Sequence, residues 1–275
     1  MTILAYKLSL GFIVGCLIGS FSYITYLLTK SGALATIVIA TIVCGFGSWP
    51  TWGILLLFFG SSGYIHIAKK VRNIVKVERL TEKGHTRDAW QVLANSLPAV
   101  ISLVLFYYTQ NQLFMIGYVS GIAGATADTW GSEIGILSKT VPRSIVSFKQ
   151  IAPGLSGGVS TLGSIASVCG SLLITFTFWL FSGRLYVNPF PTSLMVILPF
   201  ILGVANSLVD SVLGATLQIK YRCIICGQQT EQRYHHLHLT KPISGISWLS
   251  NDWVNFFSGC LTVLLSWFIL YFLQQ

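Results

Sequence analysis

The chain contains 275 residues, of which 53% are hydrophobic and only 9% are charged, and its mean hydropathy is +0.71. Soluble proteins carry about 25% charged residues, so the charges here are too few to cover a water-exposed surface. The composition excludes a soluble enzyme, a coiled coil, a disordered tail and a secreted disulfide scaffold. The formal net charge of +9 is explained below by membrane orientation, so no nucleic-acid partner is expected.

Apolar runs recur along the chain and approach the roughly 20 residues that a helix needs to cross a bilayer. Eight are found, at residues 8–28, 32–49, 51–68, 92–109, 112–130, 159–181, 194–218 and 253–272. They predict an all-α fold, a polytopic transmembrane helix bundle of about eight spans in a single integral membrane domain of residues 1–275. The second and third runs are short and meet at the turn-like Trp49-Pro50, and the fifth ends in acidic residues, so seven spans are an alternative.

Lysine and arginine residues are distributed unevenly between these runs. With eight spans, fifteen of the 17 basic residues fall on one side: Lys30, seven in 69–87, three in 131–158 and four in 219–252. Because cytoplasmic loops carry the excess of basic residues, the three larger loops are predicted to be cytoplasmic. Lys7 and Arg184 fall on the other side, so both termini are predicted to be non-cytoplasmic in a cell membrane.

Ionisable residues at membrane depth are costly and therefore mark candidate functional sites. Asp128 lies near the end of the fifth run and Glu133 just beyond it, and their carboxylates are hard oxygen ligands suited to Mg²⁺ carried by a phosphate substrate. The two side chains lie about 140° apart on an ideal helix, so a shared metal requires a local unwinding, which Gly131 would permit. The alternative is a capped helix end at the membrane interface.

Asp210 lies toward the cytoplasmic end of the seventh run, one helical turn after Asn206. The frame Gly-x-Ala-x₄-Asp occurs both here and in the fifth run, where it ends at Asp128. A parallel internal repeat is one interpretation and chance is the other. If both helices run in the same direction, the two aspartates reach a similar depth, and Asp210 is then a second candidate metal ligand.

Arg87, Gln91 and Asn95 recur at four-residue spacing, so they share one face of a helix that leads into the membrane. The alternative is a juxtamembrane helix whose arginine reaches the lipid headgroups.

A glycine-rich segment precedes the sixth run. Glycines let backbone N–H groups approach an anion, and the following helix N-terminus adds unpaired donors and a positive dipole end. The segment departs from the Walker pattern, and a simple turn is the alternative. The candidate phosphate-binding residues are Gly154, Ser156, Gly157, Gly158 and Ser160, with Arg143 and Lys149 adding positive charge.

The 219–252 loop carries Cys223 and Cys226, followed by His235, His236 and His238. Pairs of thiolates and imidazoles at such spacing can hold Zn²⁺. A structural zinc site formed by the two cysteines with His235 and His238 is one interpretation, and a loop that has lost its metal is the other.

Asn251 and Asp252 open the last run, between tryptophans that fit an interfacial belt. Either residue could cap the helix or belong to a site.

These segments, in this order, resemble the transmembrane-protein-19 family, also called domain-of-unknown-function family 92, which includes the plant and cyanobacterial phytyl phosphate kinases. The matching segments are 87–95, 127–138, 142–143, 153–160, 206–218, 223–227 and 248–255. They define a family-like core at 84–275, whereas the variable helices of 1–68 match only in hydrophobicity. The chain departs from the family's usual Cys-x-x-Cys and His-x-Cys loop at Leu237, which occupies the position of the last cysteine.

The resemblance implies a transferase of the kinase type, in which CTP as co-substrate and Mg²⁺ support phosphoryl transfer to an isoprenyl, phytyl-like monophosphate within the lipid membrane. The residues implied are Asp128, Glu133 and Asp210 for Mg²⁺; Arg143, Lys149 and the glycine-rich segment for the nucleotide; Arg87, Gln91 and Asn95 for the lipid phosphate; and Asn206, Asn251 and Asp252 as further candidates. The alternative class is a multi-pass transporter or lipid-handling protein without covalent chemistry, because buried carboxylates and internal repeats also occur in transporters.

Overall fold

A computed structural model of the chain describes residues 2–71, 86–182 and 192–275. The fold within these ranges is an all-α helix bundle. Its helices are α1 (Thr2–Ile24), α2 (Lys30–Phe46), α3 (Trp49–Val71), α4 (Ala89–Thr109), α5 (Gln112–Gly135), α6 (Thr161–Ser182), α7 (Thr192–Thr216) and α8 (Asn251–Leu273).

All eight predicted apolar runs are helical. The six helices that are long and apolar enough to cross a membrane are α1, α3, α4, α6, α7 and α8. Helix α2 has 17 residues and is too short for this set, and α5 is long enough but less apolar than the six. The polytopic helix bundle predicted from composition is confirmed.

The connection between α2 and α3 differs from the expected turn at Trp49-Pro50. Both residues belong to the first turn of α3, where proline is tolerated because its missing N–H group would have no helical partner. The turn instead lies at Gly47 and Ser48, and the Ser48 backbone N–H donates to the Thr51 hydroxyl at 2.8 Å.

Helix α5 is the centre of the bundle. It contacts α3, α4, α6, α7 and α8, and its residues from Leu113 to Ala127 are buried except for the half-buried Phe114. Small residues permit this crowding: a Cβ on Gly121 would lie 2.8 Å from the Ala99 Cβ of α4. Helix α5 is therefore enclosed by protein, which explains how it can be less apolar than the helices around it.

Helix α1 packs along α2 through the spaced glycines Gly11, Gly15 and Gly19. A Cβ on Gly15 or on Gly19 would lie 3.1 Å from α2 backbone atoms. The glycine spacing thus serves close helix packing inside the bundle.

Helices α2, α4, α6 and α8 begin at one end of the bundle, where α3, α5 and α7 end. We call it the loop end. Two contacts fix this arrangement: the Thr29 backbone N–H donates to the Arg87 carbonyl at 2.9 Å, and Lys69 at the end of α3 pairs with Glu133 at the end of α5. The chain begins and ends at the opposite end, where Lys7 Nζ donates to the Gly47 carbonyl at 2.9 Å.

The predicted grouping of basic residues can be followed only in part. Lys30, Lys69 and Arg87 lie at the loop end and Lys7 at the opposite end, as expected. Four basic positions between α3 and α4 (Arg72, Lys76, Arg79 and Lys83) and Arg184 between α6 and α7 lie outside the described residues.

Two loops at the loop end contain all of the short strands in the described residues. The strands are β1 (Arg143–Ser144), β2 (Gly158–Val159), β3 (Lys220–Arg222), β4 (Gln229–Thr230), β5 (Tyr234–His235), β6 (His238–Leu239) and β7 (Lys241–Ser244). Strands β1 and β2 pair in the loop between α5 and α6, which we call the first loop. In the loop between α7 and α8, the second loop, β4-β3-β7 and β5-β6 form two antiparallel sheets.

Candidate functional site

A cavity of about 480 Å³ opens at the loop end of the bundle. It lies among the ends of α3 to α8 and is bordered by both strand-containing loops. Thirteen predicted site residues line it: Arg87, Gln91, Asn95, Asp128, Glu133, Gly154, Ser156, Gly157, Gly158, Ser160, Asp210, Asn251 and Asp252. Segments separated by more than 100 residues in the sequence therefore meet around one space.

Asp128 of α5 and Asp210 of α7 both face this cavity, close enough to repel one another electrostatically. The Ser258 hydroxyl of α8 donates to Asp210 at 3.2 Å, and the Asp210 side chain is buried. Within the described residues the Asp128 carboxylate accepts no hydrogen bond. Two carboxylates held together at a polar cavity are a donor set that a divalent cation would stabilise.

Arg87 precedes α4 and lines the same cavity. Its backbone is held between α1 and α2 by hydrogen bonds with Leu27 and Thr29. Burial lowers the pKa of the Arg87 guanidinium, and attraction to Glu133 and Asp128 partly opposes this change. Because guanidinium groups remain charged in proteins, Arg87 supplies a fixed positive charge beside the carboxylates.

Glu133 and Asp128 lie on different faces of α5, and the local unwinding at Gly131 that a shared metal would require is not present. Helix α5 continues through Gly135. A side chain on Gly131 would collide with the Ser167 hydroxyl of α6, so this glycine allows close packing of two helices. The Glu133 carboxylate forms an ion pair with Lys69, whose ammonium also donates to the Glu133 carbonyl at 3.2 Å.

Gln91 and Asn95 line the cavity but have local partners as well. The Gln91 side chain accepts from the Asp88 N–H at 3.1 Å, while the Asp88 carboxylate accepts from the Gln91 N–H at 3.0 Å. This capping box fixes the start of α4. The Asn95 side-chain N–H donates to the Gln91 carbonyl at 2.9 Å. The side-chain oxygen of Asn95 takes no part in this bond.

The glycine-rich segment forms a tight loop before α6. Gly154 and Gly157 have φ angles of +90° and +85°, which glycine adopts without steric cost. A Cβ on Gly157 would also lie 2.7 Å from the Ala215 Cα of α7. At the end of the loop, the Ser160 hydroxyl accepts from the Gly163 N–H at 3.1 Å, so Ser160 caps α6.

Two residues that the sequence did not predict hold this loop in place. The Glu231 carboxylate accepts a hydrogen bond from the Ser156 N–H at 2.7 Å, and Lys220 Nζ lies 3.4 Å from the Ser156 carbonyl. Burial raises the pKa of Glu231, while hydrogen bonds from Ser156 and attraction to Lys220 lower it in part. Burial likewise lowers the pKa of Lys220, opposed by Glu231.

Arg143 and Lys149 are not among the residues that line the cavity, in contrast to the expectation. Both are exposed. Arg143 belongs to β1, and its guanidinium lies 3.4 Å from the Phe148 carbonyl. The hairpin of β1 with β2 turns these side chains outward although they are close in sequence to the glycines.

The remaining candidates lie on α7 and α8. Asn206 lies deeper than Asp210 and accepts from the Thr262 hydroxyl at 2.8 Å; it lines a small void next to Asp128. Asn251 accepts from the Ser156 hydroxyl at 3.3 Å. Neither Asn251 nor Asp252 caps α8, because the cap position is Ser250.

The second loop also brings four sulfur and nitrogen ligands together. The ligand atoms of Cys223, Cys226, His235 and His236 lie within 4.8 Å of one another. The expected ligand His238 is outside this group, although it lies opposite His235 in the β5-β6 hairpin. Burial raises the pKa of Cys223, but hydrogen bonds from the Cys226 backbone, His235 and the Ile225 backbone bring it to about 7.

The residues that sequence reasoning missed are Lys69, Glu231 and Lys220. Lys69 was counted only as one of the loop charges, although it is 7% exposed and enters the cavity. Glu231 and Lys220 stand in the polar second loop, where charged residues are ordinary. The sequence pattern that could have indicated them is a pair of opposite charges in a loop between the segments that match the family. Such pairs are too common in polar loops to mark a site.

Comparisons with known proteins identify the family to which the chain belongs. The family model "Integral membrane protein DUF92" matches residues 13–263. Protein PGR of Arabidopsis thaliana is 32% identical over 281 aligned residues, which cover 95% of each chain. An uncharacterized membrane protein of Methanocaldococcus jannaschii is 33% identical over 177 residues, covering 64% of this chain and 68% of its own. No solved structure gives a significant match. The chain therefore belongs to the DUF92 family of integral, multi-pass membrane proteins.

Proposed function

We propose that this protein transfers the γ-phosphoryl group of CTP to an isoprenyl, phytyl-like monophosphate, with Mg²⁺, at the cytoplasmic face of the cell membrane. The observation that carries the proposal is the shared cavity, in which Asp128, Asp210, Arg87 and the glycine-rich loop face one another. In the reaction, the bond between the γ-phosphorus and the β-phosphate oxygen of CTP breaks. An oxygen of the monophosphate forms the new bond, giving the isoprenyl diphosphate and CDP.

The carboxylates of Asp128 and Asp210 would hold the Mg²⁺. Their fit is supported by their mutual repulsion and by the absence of a hydrogen-bond donor to Asp128 within the described residues. Bound there, Mg²⁺ would neutralise charge on the transferred group. Glu133 faces Lys69 and is assigned here to orienting that ammonium toward the cavity, beside the nucleotide phosphates.

The glycine-rich loop would bind the nucleotide phosphates. Backbone N–H groups and the N-terminus of α6 are suited to anions, and Gly154 and Gly157 leave room for a close approach. Exposed Arg143 and Lys149 lie off the cavity wall and are assigned no direct phosphate contact.

The acceptor phosphate would lie against Arg87, with Gln91 and Asn95 beside it on α4. Because these residues start a membrane-spanning helix, they stand at the depth of lipid headgroups, and an apolar tail can extend between the helices. The acceptor carries its own anionic oxygen as nucleophile, so the protein needs mainly to position two phosphates and balance their charge.

The experiment that tests this proposal uses purified protein, Mg²⁺, CTP labelled at the γ-phosphate and a panel of isoprenyl monophosphates of different length. Labelled diphosphate is expected with CTP and lost when a chelator removes Mg²⁺. Absence of labelled diphosphate across the panel, in protein that is folded and monodisperse, contradicts the proposal.

A transporter is distinguished by access from two sides. Single cysteines placed at Ser132 and Ser211, in the cavity, should react with a membrane-impermeant thiol reagent from the loop side only. Reaction from both sides would favour transport.

A further inference from the structure

We propose that Cys223, Cys226, His235 and His236 bind one Zn²⁺ ion, and that this ion fixes the loop segment from which Glu231 holds the glycine-rich loop. The inference goes beyond phosphoryl transfer and does not require it, because its first readouts are metal content and spectra.

The four ligand atoms are already close to the arrangement that zinc requires. They lie within 4.8 Å of one another, and Cys226 Sγ is 3.7 Å from His235 Nδ1. In a tetrahedral site with zinc–sulfur bonds of about 2.3 Å and zinc–nitrogen bonds of about 2.0 Å, ligand atoms are separated by about 3.3 to 3.8 Å. Small side-chain rotations would therefore complete the site. Two thiolates with two imidazoles favour Zn²⁺ over Mg²⁺ or Ca²⁺, which prefer oxygen ligands.

The backbone around the cysteines supports a bound thiolate. The Ile225 N–H donates to Cys223 Sγ at 3.4 Å. The Gly227 N–H donates to the Cys223 carbonyl at 3.1 Å, and the φ of +72° at Gly227 allows the chain to reverse. The Ile225 N–H thus points to the Cys223 sulfur within a turn that the Gly227 hydrogen bond to the Cys223 carbonyl closes.

The histidine hairpin adopts a conformation that its residues do not favour by themselves. His236 and Leu237 connect β5 to β6 with φ angles of +53° and +64°, in the left-handed region that a two-residue hairpin turn requires. Glycine and asparagine are the usual residues there, and leucine incurs a steric cost. The Leu237 side chain is 98% exposed, so no packing of this side chain offsets that cost. A metal bond to the neighbouring His236 would offset the steric cost of this turn.

The metal site encloses the residue that anchors the glycine-rich loop. Cys223 and His235 are 12 positions apart, and Glu231 lies between them, directly after β4. A bond from each to one ion closes this segment, which reduces the freedom of the chain that carries the Glu231 carboxylate. Through the 2.7 Å hydrogen bond from the Ser156 N–H, the closed segment would position the cavity wall.

The first test measures metal bound to the full-length protein, purified in detergent with a reductant and reconstituted with Zn²⁺. About one zinc per chain is expected, and replacement with Co²⁺ should give the absorption of tetrahedral thiolate-bound cobalt. Cys226→Ser and His236→Ala should each weaken zinc binding about tenfold or more. His238→Ala, in the same hairpin, and Cys169→Ser, an exposed thiol on α6, are matched controls that should bind like the parent.

Three outcomes would overturn the metal site. They are a chain without stoichiometric zinc after reconstitution, a Cys223–Cys226 disulfide that persists under reductant, and a loss of zinc in His238→Ala with none in His236→Ala.

The second test concerns the positioning role. Hydrogen exchange should increase at residues 153–160 when a chelator removes the zinc, and the Cys226→Ser variant should show the same increase without chelator. The amides in the first half of α1, near Lys7 at the opposite end of the bundle, provide the internal control. Zinc removal without a change at 153–160 would overturn the link between the metal and the glycine-rich loop.

Discussion

Lys69 at the end of α3 and Glu133 at the end of α5 form an ion pair that closes one wall of the cavity. The Lys69 side chain is 7% exposed and the Glu133 side chain 22% exposed. Removal of one partner from such a pair leaves a charge that is largely withdrawn from water, which costs more than the pair itself contributes. The pair therefore ties the packing of α3 to the electrostatics of the site.

Lys69→Met and Glu133→Gln should each destabilise the protein, by about 3 kcal/mol for a well-buried pair and less where water reaches Glu133. The double variant should recover more than half of the lost thermal stability, because no uncompensated charge remains. Thermal unfolding in detergent measures this, with Lys30→Met at the exposed start of α2 as the control. Additive losses in the double variant would mean that the two side chains do not interact.

Asp128→Asn and Asp210→Asn should each reduce phosphoryl transfer at least about a hundredfold, the scale typical of a lost charge-stabilising group. Both substitutions preserve size, so the unfolding temperature should change little. Asp88→Asn is the matched control: asparagine also caps helices well, and Asp88 does not line the cavity. Full turnover in either cavity variant is the result that removes the metal-binding assignment.

Arg87→Gln should raise the KM for the isoprenyl monophosphate about ten- to a hundredfold, because a charge-assisted hydrogen bond contributes about 1.5–3 kcal/mol. Arg143→Gln makes the same chemical change on the exposed hairpin, and it should alter that KM less than about threefold. Steady-state kinetics with varied acceptor measure both. Equal effects of the two substitutions would contradict the assignment of the lipid phosphate to Arg87.

Gly157→Ala should destabilise the protein more than Gly154→Ala. Both positions have positive φ, so alanine costs about 1–2 kcal/mol at either. At Gly157 the added Cβ also lies 2.7 Å from the Ala215 Cα, whereas nothing lies within 4 Å of a Cβ on Gly154. Unfolding temperatures of the two variants give the comparison. If they are equal, the close approach of the loop to α7 is incorrect.

Glu231→Ala should lower kcat about tenfold or more, because it leaves the Ser156 N–H without its acceptor at a cost of about 1–3 kcal/mol. Glu231→Gln keeps an oxygen in that place and should retain most of the turnover. If the alanine substitution only destabilised the whole protein, it would lower the amount of folded enzyme. The two variants would then have the same turnover per folded molecule. Turnover measured per folded molecule tests this, and an alanine variant as active as the glutamine variant would falsify the positioning role.

Sequence reasoning identified most of the residues that line the cavity because their chemistry conflicts with their surroundings. Asp128 and Asp210 are conspicuous at the ends of apolar runs, and the segment around Gly154 and Gly157 is conspicuous before one. It failed where neighbouring residues diverge in space: Arg143 is near the glycines in the chain, but its strand turns it away. The sequence also favoured His238 as a zinc ligand. In the structure His236, one of the two turn residues of the hairpin, is the histidine that joins His235 near the cysteines.

Hydropathy along the chain was enough to identify a multi-pass helical membrane protein and to mark the polar residues that interrupt its apolar runs. Those properties depend on hydropathy and helix length, which are local along the chain. The folded arrangement was needed to learn that Lys69 neutralises Glu133, that Glu231 holds Ser156, and that the polar helix α5 occupies the centre. Those relationships join residues 64 and 75 positions apart, and they arise from the packing of distant helices and loops, which spacing along one segment does not encode.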